Sequence, residues 1–175
     1  MIIALFGAPG AGKDTVGKIL VEEYSYRRVA FADKVRELAL RLHGSAIVNT
    51  GSGSYIKLRD AVEEFGWEHV KRNSEHVRQL LERVGDGCRE VLGADLWIMA
   101  AWHDIIQGGN VVITDLRKRN EYASLRDVGA QFWHITRHGC EKRPFDEWQP
   151  EWATDTIENN GTIDELREKV RKLMK

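Results

Sequence analysis

The run Met1 to Phe6, MIIALF, passes directly into GAPGAGKDT (Gly7 to Thr15), and this junction constrains the fold more than any other stretch. An apolar β-type run, a glycine-rich loop, and then Val16, Ile19 and Leu20 at i, i+3, i+4 spacing describe a strand delivered through a phosphate-binding loop into a helix. Gly7, Gly10 and Gly12, with Ala8, Pro9 and Ala11 between them, let backbone N–H groups turn inward on a polyphosphate. The following helix points its positive end at the same place, and Lys13 supplies a mobile cation. Asp14 follows the lysine where switch-type NTPases carry Ser or Thr, and the hydroxyl comes one position later at Thr15. Asp14 either holds a Mg²⁺-bound water or caps the helix.

The remaining pattern alternates β and α. Strands are expected at Tyr26 to Ala32, Val111 to Thr114, Ala130 to Thr136 and around Thr156 to Glu158. Helices are expected from Asp33 to about His43, Ile56 to Phe65, Glu75 to Leu92, Asp95 to Gln107 (apolar nearly all round, hence buried), about Asn120 to Val128, and after the capping box Thr162-x-x-Glu165. Asn49 to Tyr55 reads as a mobile loop, and the aperiodic Arg137 to Trp152, with two of the three prolines, as a lid. Five strands interleaved with helices imply a parallel α/β sheet with its ligand at the carboxyl ends of the strands. Asp33 and Asp115 follow two of those strands. Asp115 is placed to act on Mg²⁺ through water, or else to cap a helix. Arg117 and Arg137 lie just past strand ends and Arg143 inside the loop, which suits a reaction that spreads negative charge over a transferring group. Arg78 and Arg89 would share a face of one continuous helix, although Gly85-Asp86-Gly87 reads as a break and Glu82 as an ion-pair partner for Arg78.

Composition narrows the partners. With 42% hydrophobic and 30% charged residues over 175, and a net charge of −1, the chain suits one domain with a full core and lacks the basic surplus of a nucleic-acid binder. The expected partners are small-molecule nucleotides, not a polymeric nucleic acid or a membrane, and a homodimer is compatible with the sequence. No apolar run reaches a membrane span, and Cys88 and Cys140 lack metal or redox spacing, so a cytoplasmic place is expected, the host's if the chain is phage-encoded.

GAPGAGKDT, FADKVRELA (Phe31 to Ala39), VRQLLERVGDGCREVLGADLWI (Val77 to Ile98), VVITDLRKRNE (Val111 to Glu121), WHITR (Trp133 to Arg137) and IENNGTIDEL (Ile157 to Leu166) resemble, in this order, the phage-type deoxynucleoside monophosphate kinases. The resemblance spans nearly the whole chain apart from residues 44–74. It implies a P-loop NTPase three-layer sandwich of the adenylate-kinase type, strand order 2-3-1-4-5, as a single domain over 1–175. A nucleotide-monophosphate-binding region would cover about 33–92 and a lid about 137–152. ATP and Mg²⁺ would be used to phosphorylate a deoxynucleoside monophosphate. By position, Lys13, Asp33, Asp115, Arg137 and Arg143 would form the catalytic set. Asp33, Lys34, Arg78, Arg89, Trp97 and Arg117 would hold the acceptor, and Asn159, Asn160 and Gly161 would border the ATP base, with Thr15 and Asp115 near the metal. Trp97 and Tyr55 are candidate aromatic walls against the sugar, a core place being the stronger reading for Trp97. Alternatives are a P-loop kinase for dephospho-coenzyme A or phosphomevalonate, or a nucleotide-binding module without catalysis. The last is disfavoured by the absence of NKxD and of DxxG after Asp115.

Overall fold

The computed structural model describes residues 1–51 and 53–175, and the chain divides into two compact units. The first unit, residues 1–31 and 98–175, contains a five-stranded parallel sheet. Its strands are β1 (Ile2–Phe6), β2 (Arg27–Val29), β5 (Val111–Ile113), β6 (Gln131–Thr136) and β7 (Asp155–Glu158), in the order β2-β5-β1-β6-β7. A hairpin of β3 (Ile47–Asn49) and β4 (Tyr55–Lys57) stands outside this sheet, so counting sheet strands alone gives 2-3-1-4-5. Period-2 alternation sorts the side chains onto two faces. Ile3, Leu5, Val112, Trp133, Ile135 and Ile157 form one buried cluster with Val16, Ile19 and Leu20 of α1 (Lys13–Tyr24) and Leu166 and Val170 of α7 (Ile163–Leu173). From the opposite face, the Phe6 and His134 rings stack 4.8 Å apart. The capping box at Thr162 and Glu165 starts α7 as the sequence requires.

The second unit, residues 32–97, has its own core of Ala39, Val48, Leu58, Ala61, Val70, Val77, Leu80 and Val84. It carries most of α2 (Phe31–His43), the hairpin, α3 (Leu58–Asn73) and α4 (Glu75–Leu92). The expected loop at 49–55 is thus the turn of a short hairpin, and the part of that expectation falling on Ser52 lies outside the described residues. Other expectations are corrected. The strand expected to reach Ala32 stops at Val29, with Phe31 already helical, and the helix expected at 56–65 runs to Asn73 across a kink at Gly66, whose φ is 76°. Gly85-Asp86-Gly87 does not interrupt α4. Each glycine costs about 1 kcal/mol relative to alanine, but burial of Val77, Leu80 and Val84 on one face, started by a Ser74 hydroxyl that accepts from Val77 N, outweighs it. α5 (Leu96–Ile106) buries Trp97, Ile98, Ala101 and Ile105 but leaves Met99 and Ile106 exposed, so it is amphipathic and not buried all round. Among the described residues, no helix is long and apolar enough to cross a membrane.

Candidate functional site

The phosphate loop is shaped by two glycines in particular. A Cβ on Gly7, at φ 139°, would lie 2.1 Å from the Ile135 carbonyl oxygen, so only glycine lets the chain leave β1 this close to β6. Gly12, at φ 106°, starts α1 with no side chain capping it, which leaves the N–H groups of the first turn for a ligand. Between them, Ala11 N donates to Ala8 O at 3.2 Å, with both alanines buried and Pro9 and Gly10 exposed at the tip. Asp14 is exposed in the first turn of the helix and Thr15 half-buried behind it.

Lys13 folds back into this cradle. Its Nζ donates to the carbonyls of Gly7 at 2.8 Å and Ala8 at 2.9 Å. Burial pushes its pKa below the usual lysine value, Arg117 and Arg143 push it the same way, and Asp14 and Asp146 oppose them in part. An ammonium desolvated among other cations is stabilised by an arriving anion. The same field, after burial itself, holds the His134 imidazole below its ordinary pKa.

The elements around the cradle are braced by groups that sequence reasoning missed. Buried Glu121 accepts from Arg117 N at 2.8 Å and Lys118 N at 2.9 Å, and Arg117 O accepts from Glu147 N at 2.8 Å. The Glu147 carboxylate in turn takes the Arg119 amide at 3.1 Å and the Lys118 ammonium at 3.2 Å, and these bonds hold its pKa low. Asp146 is buried, with Oδ2 accepting from Arg143 N and Nε at 3.4 Å each. Trp148 is buried against Phe6 and His134, and Trp152 stacks on Tyr122 at 4.3 Å. Residues 145–152 are therefore fastened to the first unit, and the stretch before them is tied to it too, Lys142 Nζ donating to Trp148 O, while Arg137 and His138 are exposed.

Asp115 follows β5, and its Oδ1 accepts from the Phe31 amide at 3.0 Å, the first residue of α2. That is a contact with the start of α2, not with the helix that follows Asp115 in sequence. Among the described residues no group of three or more His, Cys, Asp or Glu side chains gathers into a metal site. Asn159 and Asn160 are engaged by protein. Asn159 Nδ2 donates to Ala11 O at 2.9 Å and Asn160 Oδ1 accepts from His138 N at 2.8 Å.

In the second unit, Asp33 and Lys34 occupy the first turn of α2, half-buried, with Asp33 3.4 Å from Arg36. Arg78 and Arg89 lie about three turns apart on the unbroken α4 and so share a face. Arg78 pairs with Glu75, not with Glu82, and Arg89 pairs with Asp86 at 3.0 Å. A groove of about 590 Å³ lined by Leu42, Leu80, Val84, Cys88 and Val91 lies roughly on the other side of that helix, at about 100° per residue. Trp97 is only 4% exposed and its Nε1 donates to Gly85 O at 2.9 Å, which makes it a core residue, whereas Tyr55 is exposed on β4.

No family model and no curated protein matches the chain. Solved structures do. APS kinase CysC of Mycobacterium tuberculosis, in complex with AMPPNP and APS, is similar at 14% identity with a TM-score of 0.50, over 99% of this chain and 96% of that one. Shikimate kinase of Aquifex aeolicus (14%, TM-score 0.48, 99% and 96% covered) and dephospho-CoA kinase of Campylobacter jejuni (14%, 0.46, 99% and 94%) are also similar. The parallel sheet, its phosphate loop and the likeness to the CysC structure agree on one architecture: the chain has the fold of the P-loop kinases.

Proposed function

We propose that the protein is an ATP-dependent phosphotransferase acting on a small phosphorylated acceptor, a deoxynucleoside monophosphate in the first place. The observation that carries this reading is Lys13, a desolvated ammonium that donates to the carbonyls of its own loop and is crowded by Arg117 and Arg143. A triphosphate fits that cradle, since the uncapped start of α1 offers N–H donors and Lys13 can exchange two carbonyls for phosphate oxygens. Mg²⁺ would arrive with the triphosphate, balancing its charge, with the Thr15 hydroxyl as the available protein donor and Asp115 acting through water. The AMPPNP complex of CysC supports nucleotide binding by a chain of this fold.

The transfer needs no covalent intermediate. A phosphate oxygen of the acceptor, already anionic, attacks the γ-phosphorus of ATP; the bond from that phosphorus to the β–γ bridging oxygen breaks, and ADP leaves with the electron pair. Lys13, Arg117, Arg143 and Arg137 stabilise charge as it moves to the bridging and equatorial oxygens. Arg78 and Arg89 hold the acceptor phosphate, each in exchange for an ion pair whose acid, Glu75 or Asp86, is exposed. The deoxynucleotide assignment rests on the six sequence blocks, and the segment that carries Arg137 and Arg143 is read as the lid.

The test is ADP release, coupled to a reporter, against dGMP, dTMP, dCMP, dAMP, GMP and CMP, with dephospho-coenzyme A and phosphomevalonate as further acceptors. Deoxynucleotides should be preferred at least about tenfold in kcat/KM over matching ribonucleotides, a modest figure because an apolar wall rejects a hydroxyl weakly. Equal rates for ribo and deoxy forms would remove the deoxynucleotide assignment. Turnover of dephospho-coenzyme A or phosphomevalonate alone would replace the acceptor.

A further inference from the structure

The two asparagines after β7 touch opposite sides of the catalytic apparatus. Asn159 N continues the strand by donating to Thr136 O at 2.8 Å, which fixes the dipeptide beside the end of β6. From there the Asn159 side chain reaches the phosphate loop, 148 residues away in sequence, and donates from Nδ2 to Ala11 O at 2.9 Å. The fit is close: a Cβ on Gly12 would come within 2.2 Å of that Nδ2. Asn160 reaches the other way, its Oδ1 accepting from His138 N, one residue past Arg137.

The Ala11 carbonyl belongs to the same peptide as the Gly12 amide. In a trans peptide the C=O and N–H point in opposite directions, so holding the carbonyl toward Asn159 aims the Gly12 N–H away from it. Hydrogen bonding at one end of a peptide also strengthens the donor at the other. Gly12 has the freedom to let this peptide rotate, and a rotated peptide would offer a carbonyl oxygen where an anion needs a donor. The Lys13 ammonium braces the carbonyls of Gly7 and Ala8, but it is the group that must leave them for a phosphate. The Asn159 bond to Ala11 can persist through that exchange.

We propose that Asn159 is a positioning residue for the phosphates of ATP, acting through the Ala11–Gly12 peptide and not by reading the base. The proposal rests on the phosphotransferase reading above. It assigns Asn159 to a different part of the nucleotide from the one its place in the sequence implied. Asn160 contributes by setting where the arginine-bearing segment begins.

The experiment compares calorimetric affinities of wild type, Asn159→Ala and Asn159→Asp for two probes, Mg²⁺·ATP and Mg²⁺·inorganic tripolyphosphate, the second having no base or sugar. Loss of Asn159 Nδ2 should weaken both probes by the same factor, about five- to tenfold for one lost hydrogen bond. Asn159→Asp keeps the side-chain shape but turns an acceptor toward the Ala11 carbonyl, so it should weaken both at least as much; it also serves if the alanine variant does not fold. A fall confined to ATP, with tripolyphosphate unchanged, overturns the proposal in favour of base contact. Unchanged affinity for both probes overturns it as well. Wild type that binds neither probe overturns the phosphotransferase reading along with it, whereas wild type that binds both, with unaffected variants, overturns the positioning role alone.

Discussion

The two compact units treat charge in opposite ways. In the phosphate-loop unit, Lys13, Arg117 and Arg143 converge on partly buried ground, and the acids near Lys13 only partly offset its surroundings. In the other unit, the arginines expected to meet an anion are each paired at the surface, Arg78 with Glu75 and Arg89 with Asp86. The first arrangement is held at a cost that an anion relieves. In the second, each guanidinium is already matched by an acid, and both acids, Glu75 and Asp86, are exposed. On the proposed reading, the cradle around Lys13 is preorganised for a triphosphate while Arg78 and Arg89 would exchange partners to take an acceptor, so mutations should separate the two by magnitude.

Replacing Lys13 should have the largest effect. Lys13→Ala should lower kcat by about two to four orders of magnitude while the fold is kept, as expected for lost electrostatic stabilisation of the transferring group. Steady-state kinetics beside a thermal melt check it, and near-normal turnover would break the contrast between the units. Arg143→Ala should come next, with a loss of about a hundredfold in kcat and little change in acceptor KM. The surface arginines should divide differently: Arg89→Ala should raise acceptor KM about tenfold and leave ATP affinity unchanged, which a pair of saturation curves would resolve. If Arg89→Ala reduced ATP affinity instead, the assignment of separate roles would be wrong.

Smaller effects sharpen the picture of what is structural. Trp97→Phe removes the Nε1 bond to Gly85 O and should cost about 1 kcal/mol in denaturant unfolding without changing deoxy over ribo preference. A changed preference would return Trp97 to the sugar. His134 supplies a pH effect whose sign follows from its environment. Burial and the Lys13 ammonium keep it neutral in the fold, so on acidification the unfolded chain takes up this proton first. Its contribution is fully present above the ordinary histidine value of about 6.5 and is lost as pH falls from there toward the lower folded value. The melting temperature of wild type should drop by a few °C more than that of His134→Gln between pH 7.5 and 5.5. Parallel curves would contradict the assignment.

The difference between the units also marks what could be read from the sequence. Strand, glycines, lysine and helix follow one another between Ile2 and Leu20, so the phosphate cradle is a local feature with a local signal. The bounds of α4 were legible from the regular apolar stripe of Val77, Leu80, Leu81 and Val84, but Gly85-Asp86-Gly87 read as a break, and continuity through them depends on packing that local propensity does not contain. The hairpin within 44–74 escaped because its strands are three residues each, too short for a period-2 pattern. His134 left a faint signal as a polar residue in an otherwise apolar strand, whereas the burial of Asp146 left none in an aperiodic loop. The bond from Asn159 to Ala11 joins positions 148 residues apart, and nothing in either neighbourhood announces it.

Phosphorus NMR of the wild-type protein with ATP, Mg²⁺ and a single deoxynucleoside monophosphate observes the proposed transfer itself. The γ-phosphate signal of ATP should decline while the β-phosphate signals of ADP and of the deoxynucleoside diphosphate grow in equal amounts, with no matching rise of inorganic phosphate. An ATP spectrum that stays unchanged with all four deoxynucleotides, or one that yields only ADP and inorganic phosphate, would contradict the claim that the cation-crowded unit hands a phosphoryl group to a nucleotide.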